Sequence, residues 1–195
     1  MRAYPPAESV FDPRANVASI ICVPAAIDDD VERRCLDVAS RVAEAMDFEG
    51  LLAVELFVVE GTHEVLVNEV APRCHNSGHH TVEANATSQF AQLLRVVLDL
   101  PLGDVSPVRP AAATVNLLGD HDTPKGAPPS YAGIDDALQD PDVYLHLYGK
   151  ASVSPFRKMG HLTVCGHDRD AVLHKANKLK DSIGCRFGDS SSSSS

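Results

Sequence analysis

The sequence predicts an α/β fold built in two parts, and three observations support that prediction. Apolar runs of strand length alternate with stretches whose apolar residues recur every three or four positions, as in amphipathic helices. A Pro-rich stretch at 101–110 has the composition of a linker. Beyond it the strand-like runs become shorter. We therefore expect a first part over 1–101, a small β-rich part over 102–188, and a disordered serine tail over 189–195.

The first part is expected to hold three strands and two helices. Val17–Val23 is a continuous apolar run with the length of a buried strand. A helix is expected after it, because Asp28 can cap the first turn and the acidic residues beyond favour the positive end of the helix dipole. Strands over 51–60 and 64–70 come next. The second helix, over 88–98, has an apolar stripe that we expect to face inward, made of Phe90, Leu93, Leu94 and Val97.

The second part is expected to hold three shorter strands and a final helix. The strands are predicted near 112–118, 142–148 and 160–165, and the helix over 169–183. Between the first two of these strands, a Pro- and Gly-rich stretch at 120–130 is expected to form a loop.

Composition argues against several classes of protein. The net charge is −10, and an acidic surface repels the phosphates of nucleic acid, so no nucleic-acid partner is expected. The five cysteines are scattered without a C-x-x-C pair, which fits a reducing compartment better than a disulfide framework or a structural zinc site. No apolar run has the length of a membrane span. We expect a cytoplasmic protein without a membrane partner, with import into an organelle left open.

Two acidic residues interrupt the apolar strands of the predicted hairpin, Glu55 in LLAVELFVV and Glu69 in EVLVNEVAP. A three-residue loop at 61–63 sets Glu55 directly opposite Glu69, whereas a two-residue loop or a bulge changes that count. Like charges across a strand pair repel each other, unless a hard cation such as Mg²⁺ lies between them. Asn68 is adjacent and can add an amide oxygen or a hydrogen bond. The pattern alone leaves open that both acids face solvent.

The hairpin is followed by the densest polar stretch of the chain, NEVAPRCHNSGHHT. Arg73 offers a planar, permanently charged fork that suits bicarbonate, a carboxylate or a phosphate. His75, Asn76 and Ser77 add short hydrogen-bonding groups, and Gly78 lets the backbone approach a ligand closely. The histidines of this stretch show no recognisable zinc spacing. A polar loop that merely caps a helix is the alternative.

The run from Glu55 to Thr81 resembles the ATP-grasp family of N5-carboxyaminoimidazole ribonucleotide synthases, whose pattern reads roughly E-x-F…N-E-[LV]-A-P-R-x-H-N-S-G-H. Supporting matches are YPPAE near the N-terminus, TSQF, LPL and VNLLG after the run, and the block HLYGK…RKMGHLT from His146 to Thr163. The resemblance extends to about Asp181. It implies a partial ATP-grasp antiparallel sheet with helices, followed by a small β-rich C-terminal domain.

The resemblance implies an ATP-dependent ligase of purine biosynthesis. Members activate bicarbonate with ATP as carboxyphosphate and transfer the carboxyl group to 5-aminoimidazole ribonucleotide. ATP and Mg²⁺ are the implied cofactors, with Glu55 and Glu69 as metal ligands and with Asn68 and Glu69 binding the nucleotide. Catalytic roles near bicarbonate and the aminoimidazole are implied for Arg73, His75 and Asn76.

The same resemblance implies how the ribonucleotide is bound. The implied substrate-binding residues are Asn76, Ser77, Lys150, Arg157 and Lys158. The last three lie in the block that resembles the site of the 5′-phosphate, and cations near a turn suit a phosphate monoester. A homodimer is also implied, and relatives can carry a fused or separate mutase or carboxylase domain.

Two departures from the family pattern bear on activity. The block usually reads G-R-K-M-G-H, whereas here Phe156 precedes Arg157, and Phe adopts a positive φ only at a cost. The family's N-terminal nucleotide-fold domain and ATP lid would precede Met1, so the chain is expected to be too short for the full reaction by itself. Two rivals stay open: a formate-dependent glycinamide ribonucleotide transformylase, and a non-catalytic fragment that only folds, dimerises or binds a partner.

Overall fold

The computed structural model describes residues 1–12 and 17–187 and shows the mixed α/β fold that the sequence predicts. The serine tail predicted over 189–195 lies outside the described residues. The strands are β1 (Glu8–Asp12), β2 (Val17–Val23), β3 (Ala53–Val58), β4 (Val65–Ala71), β5 (Ala111–Leu118), β6 (Pro129–Ala132), β7 (Val143–Leu147), β8 (Lys158–Gly166) and β9 (Gly184–Phe187). The helices are α1 (Asp29–Ala45), α2 (Thr81–Ala84), α3 (Gln89–Val97), α4 (Ile134–Ala137) and α5 (Arg169–Ser182). A 3₁₀ turn spans Asn76–Gly78.

The chain divides into two compact units. The N-terminal unit holds residues 1–8 and 23–111, and the C-terminal unit holds residues 9–22 and the chain from 112 onward. The predicted two parts differ from these units in two segments: 102–111 groups with the N-terminal unit, and 9–22 groups with the C-terminal unit. The segment 9–22 does so because β1 and β2 belong to the same five-stranded sheet as β5.

In the N-terminal unit, α1 contacts both strands of the β3–β4 hairpin. The helix begins where predicted, because the Asp28 carboxylate accepts hydrogen bonds from the backbone N–H groups of Asp30 and Val31 at 3.0 and 2.8 Å. Val31 and Cys35 are buried on its inner side. Helix α1 thus provides an apolar support for the hairpin that carries the two acidic residues.

The prediction that the apolar stripe of α3 faces inward is wrong for three of its four residues, and only Leu93 is half-buried. Phe90, Leu94 and Val97 are 43%, 62% and 72% exposed, whereas Gln89 and Gln92 are buried at 3% and 5%. Helical spacing shows which side chains share a face but not which face meets the rest of the protein. The two glutamines can be buried because backbone groups of neighbouring loops satisfy their amides.

The C-terminal unit is built on the five-stranded sheet, whose order is β1-β2-β5-β8-β7. Strands β5 and β8 are buried almost throughout, and β7 pairs with β8 antiparallel. Helix α5 packs on β8 through its buried residues Val172 and Ala176. A separate antiparallel pair, β6–β9, joins two segments that the sequence patterns do not mark as strands. Within the described residues, no helix is long and apolar enough to cross a membrane.

Candidate active site

The β3–β4 hairpin sets Glu55 directly opposite Glu69, which confirms the predicted pairing. The route to that pairing is different from the one expected. Near the turn, Val58 pairs with Val65, whereas a three-residue loop at 61–63 would pair Val59 with Val65. The turn is therefore longer than expected and shifts the register by one residue. Further along, Asn68 is an extra residue on β4 without a partner position on β3. A bulge of this kind places two residues of one strand against one residue of the other. The register shift caused by the longer turn is therefore offset by the bulge, and Glu55 again pairs with Glu69.

The bulge gathers polar oxygen atoms on one side of the hairpin. The Asn68 Nδ2 donates to Glu55 Oε2 at 3.2 Å, and Glu69 lies across the ladder from the same Glu55. Glu55 is half-buried and Glu69 is exposed. Two carboxylates beside an amide form a donor set that suits a hard divalent cation, which takes its remaining ligands from water and phosphate oxygens.

The loop after the hairpin begins with Arg73. Its side chain is exposed, and its Nη1 donates to the neighbouring Cys74 carbonyl at 3.0 Å. Within residues 1–12 and 17–187, no carboxylate lies within ion-pair distance of this guanidinium. Its charge therefore faces solvent beside the acidic hairpin, as an anion-binding residue of a site would.

His75 links the loop to the hairpin. Its side chain caps the 3₁₀ turn, because Nδ1 accepts from the Ser77 backbone N–H at 3.4 Å and also contacts the Ser77 hydroxyl at 3.0 Å. A backbone N–H can only donate, so the neutral ring carries its proton on Nε2. That nitrogen lies 3.5 Å from Glu55 Oε1. Ser77 therefore orients His75 from within the loop, and Asn76 begins the turn between them.

Gly78 is required by packing inside this loop. A Cβ at Gly78 would lie 2.8 Å from the Gln89 Oε1. The sequence suggested that a ligand approaches this glycine, whereas its close neighbour in the structure is the buried Gln89 side chain. Sequence reasoning passed over Gln89 because it placed the opposite side of α3 inward.

The C-terminal unit gathers the three predicted cations. The Lys150 Nζ donates to the Lys158 carbonyl and lies 5.4 Å from the centroid of the Tyr148 ring. The Arg157 Nη1 donates to the carbonyl and hydroxyl of Ser152 at 3.0 and 3.2 Å. Partial burial, and then the positive charge of Arg157, lower the pKa of Lys150. An anion bound there would relieve that repulsion.

A strained turn presents Arg157. Phe156, the residue that departs from the resembled pattern, adopts φ 57°, which lies in the left-handed region. The Phe156 N–H donates to the Gly119 carbonyl at 2.8 Å, and the Gly119 N–H donates to the Arg157 carbonyl at 3.0 Å. A Cβ at Gly119 would clash with the Ser154 carbonyl. Gly119, from the VNLLG match, therefore holds the turn from the neighbouring strand end.

The structure brings the predicted residues together in two groups, one in each unit. The N-terminal unit holds Glu55, Asn68 and Glu69 together with the loop 73–78. The C-terminal unit holds Lys150, Arg157 and Lys158. Each group brings like charges close together, Glu55 with Glu69 and Lys150 with Arg157, and such an arrangement is typical of functional sites.

Comparisons with known proteins agree with this division. Residues 1–90 match the family described as ATP-grasp domain, and residues 112–175 match the family described as Phosphoribosylaminoimidazole carboxylase C-terminal domain. The class that the fold and the site define is thus the ATP-grasp proteins. Among curated relatives, N5-carboxyaminoimidazole ribonucleotide synthase of Bacillus subtilis is 37% identical over 176 residues, which are 88% of this chain and 42% of the relative.

Solved structures agree with the sequence relatives. The synthetase from Thermotoga maritima has a TM-score of 0.84 at 36% identity and covers 95% of this chain, which spans 48% of it. The Aspergillus clavatus synthase in complex with ADP and 5-aminoimidazole ribonucleotide has a TM-score of 0.78 at 29% identity, with coverages of 91% and 46%. The chain belongs to the N5-carboxyaminoimidazole ribonucleotide synthase family, as its motifs predict, and it spans less than half the length of these relatives.

Proposed function

We propose that this chain takes part in the ATP-dependent carboxylation of 5-aminoimidazole ribonucleotide with bicarbonate, a step of purine biosynthesis. Relatives named for that product match it at 37–40% identity. The chain matches less than half of each of them, so the proposal concerns what its residues contribute within a whole enzyme. The homodimer, a fused or separate mutase or carboxylase domain, and residence in the cytoplasm stay predictions.

The observation that carries the proposal is the opposition of Glu55 and Glu69 across the bulged hairpin. Two facing carboxylates are unfavourable alone and become favourable around a divalent cation. In the proposed role they would hold Mg²⁺, whose charge would offset the negative charge of the ATP phosphates in phosphoryl transfer. Asn68 binds Glu55 and would keep that carboxylate turned towards the metal and the nucleotide.

The loop 73–78 is proposed to receive bicarbonate. The Arg73 fork can bind two oxygens of a planar anion, and its charge favours the anion over neutral carbonic acid. The His75 Nε2–H lies beside Glu55 and could donate to an oxyanion bound at this loop. Asn76 is proposed to contact the aminoimidazole, and Ser77 to act by orienting His75.

The cations of the C-terminal unit are proposed to bind the 5′-phosphate of the ribonucleotide. A phosphate dianion would stabilise the charged form of Lys150, whose pKa burial and Arg157 lower. Arg157 and Lys158 would supply further charge-assisted hydrogen bonds. Lys158 follows Arg157 at the start of β8, so the buried strand fixes where both cations emerge.

A second candidate is a binding module without catalysis. The exposed apolar side of α3, made of Phe90, Leu94, Val97 and Leu98, favours it, since such patches commonly mark contacts with other proteins. Sedimentation equilibrium distinguishes a self-associating chain from a monomer. In a self-associating chain, Leu94→Lys is expected to weaken association, because Leu94 is 62% exposed.

Phosphate release tests the first candidate. The assay contains ATP and bicarbonate, with and without 5-aminoimidazole ribonucleotide. It compares the chain alone with the chain supplemented by the region of the Bacillus subtilis relative that precedes the match. Release is expected from the supplemented chain. Glu69→Gln is expected to reduce it by at least about tenfold through weaker metal binding, while Glu64→Gln, a matched change at an exposed position of the same hairpin, leaves it unchanged. Equal effects of the two substitutions, or no release from any mixture, would contradict the proposal.

A further inference from the structure

Helix α3 turns two glutamines inward, each of which holds the backbone of a different loop. Gln92 Oε1 accepts from the Gly103 N–H and its Nε2 donates to the Gly103 carbonyl, both at 2.9 Å. Gln89 does the same to His75: Oε1 accepts from the His75 N–H and Nε2 donates to the His75 carbonyl, again both at 2.9 Å. One side chain thus satisfies both backbone groups of one residue, as a neighbouring β-strand would.

The Gln89 clamp sits under the loop that carries the candidate anion site. Gln89 is only 3% exposed. Its Nε2 also lies 2.9 Å from the His79 Nδ1, so its amide bridges both sides of the 3₁₀ turn. The helix end itself is tied to the same segment, because the Gln89 N–H donates to Thr81 Oγ1 and that hydroxyl donates to the Gly78 carbonyl. The loop 75–81 therefore wraps around this one side chain.

The clamp fixes the backbone from which the His75 ring projects. His75 is held in an extended conformation, φ −127° and ψ 154°, the geometry of a capping residue. From that conformation the ring reaches Ser77 with Nδ1 and approaches Glu55 with Nε2. Releasing the His75 backbone would let the ring leave Glu55 without changing any atom of the hairpin.

We infer that Gln89 is a positioning residue of the site, which directs the His75 imidazole towards Glu55 by holding the His75 backbone. The chemical use of that placement rests on the proposed function, whereas the placement itself does not. Gln92 provides a matched control. It has the same residue type, helix, burial and pair of backbone bonds, and it holds Gly103 instead of His75.

The experiment compares Gln89→Met with Gln92→Met in the full 195-residue chain by NMR, with Mn²⁺ as the metal probe. The His75 amide is expected to exchange with solvent about 100-fold faster in Gln89→Met, because its buried acceptor is gone, and no more than about threefold faster in Gln92→Met. The Val38 amide in α1 reports the exchange that global unfolding causes in both variants.

The second measurement is broadening by Mn²⁺. In the wild type and Gln92→Met, Mn²⁺ is expected to broaden the His75 ring signals along with the Glu55 and Glu69 amides. In Gln89→Met the amides are expected to broaden as before, whereas the ring signals broaden less, because the ring has moved away from Glu55.

Equal behaviour of His75 in the two variants, or faster exchange with an undisturbed ring, would overturn the positioning role. Absence of Mn²⁺ broadening at Glu55 and Glu69 in the wild type would contradict the proposed metal site instead. In that case nuclear Overhauser contacts between the His75 ring and Glu55, lost only in Gln89→Met, decide the role of Gln89. If Gln89→Met does not fold, Gln89→Asn and Gln92→Asn give the same comparison, since each amide is then one methylene short of its backbone partner.

Discussion

Phe156 is held in the left-handed region of backbone space, φ 57°, by hydrogen bonds that tie its turn to Gly119. A bulky residue in that conformation stores about 1–3 kcal/mol of strain, which the surrounding structure must offset. The strain lies next to Arg157, one of the proposed phosphate-binding cations. Glycine adopts this conformation without that strain, so the turn is formed here at a cost in stability.

Substitution at Phe156 measures that strain. Phe156→Ala removes the ring and keeps the conflict of a Cβ with positive φ, whereas Phe156→Gly removes both. We expect the glycine variant to be more stable than the alanine variant by about 1 kcal/mol. Urea unfolding of the two variants gives this difference directly. An alanine variant as stable as the glycine variant would show that the turn relaxes at no cost.

His80 makes stability depend on pH in the N-terminal unit. Burial lowers its pKa from 6.5 to about 4, and its Nδ1 donates to the Ser77 carbonyl at 3.0 Å, so the folded state holds the neutral ring. Between pH 6.5 and 4 the unfolded chain binds a proton that the folded chain does not. The contribution of His80 to the free energy of unfolding is therefore fully present above pH 6.5. It is lost as the pH decreases through this window, by about 3 kcal/mol in all.

The prediction for His80 concerns this slope. Urea midpoints measured from pH 7.5 to 4 are expected to fall steeply in the wild type and less steeply in His80→Gln, whatever that variant's stability at neutral pH. His167 is exposed, and His167→Gln is expected to keep the wild-type slope. A wild-type slope in His80→Gln would mean that other groups cause the acid sensitivity.

At the scale of elements, the hairpin shows how far sequence patterns reach. Two acidic residues in apolar strands suggested their pairing, and the structure has Glu55 opposite Glu69. The longer turn and the extra Asn68 could not be foreseen, because each is a local irregularity and their effects on the register cancel.

The burial of Gln89 could not be foreseen either. A glutamine at the start of a helix normally faces solvent, and only the loop folded beneath it makes burial favourable.

The facing carboxylates give a prediction for the hairpin without metal. Glu69→Gln removes the repulsion with Glu55 and is expected to stabilise the metal-free chain by about 0.5 kcal/mol while weakening Mn²⁺ binding. Glu64→Gln, in the exposed turn region, is expected to change neither. Thermal unfolding with and without Mn²⁺ measures both effects. Destabilisation by Glu69→Gln without metal would show that the two acids do not repel each other in the folded hairpin.

At the scale of the whole molecule, the division of the chain follows strand pairing rather than the Pro-rich linker. The linker suggested one boundary near 101, and local composition contains no sign that an early segment pairs with a late one. β2 lies between β1 and β5 in the five-stranded sheet, and its residues Ile20, Ile21 and Cys22 are almost fully buried. Long-range pairing of this kind depends on contacts that no sequence window contains.

This organisation predicts which fragment folds. The fragment 102–188 alone lacks β1 and β2, so one edge of β5 has no neighbouring strand. It also lacks the buried side chains of Ile20 and Ile21, and the burial of each is worth about 1.5–3 kcal/mol. We expect the fragment to be partly unfolded or aggregated. The unpaired edge of β5 and the apolar side chains exposed beside it destabilise the fold and can pair with other chains. Joining residues 8–23 to its N-terminus by a Gly/Ser linker is expected to restore a cooperative urea transition. A second fusion with Ile20→Ser and Ile21→Ser controls for added length and is expected to remain unfolded. If the fragment 102–188 unfolded cooperatively by itself, at the same urea midpoint as the fusion, then β1 and β2 would not be needed for the stability of the sheet.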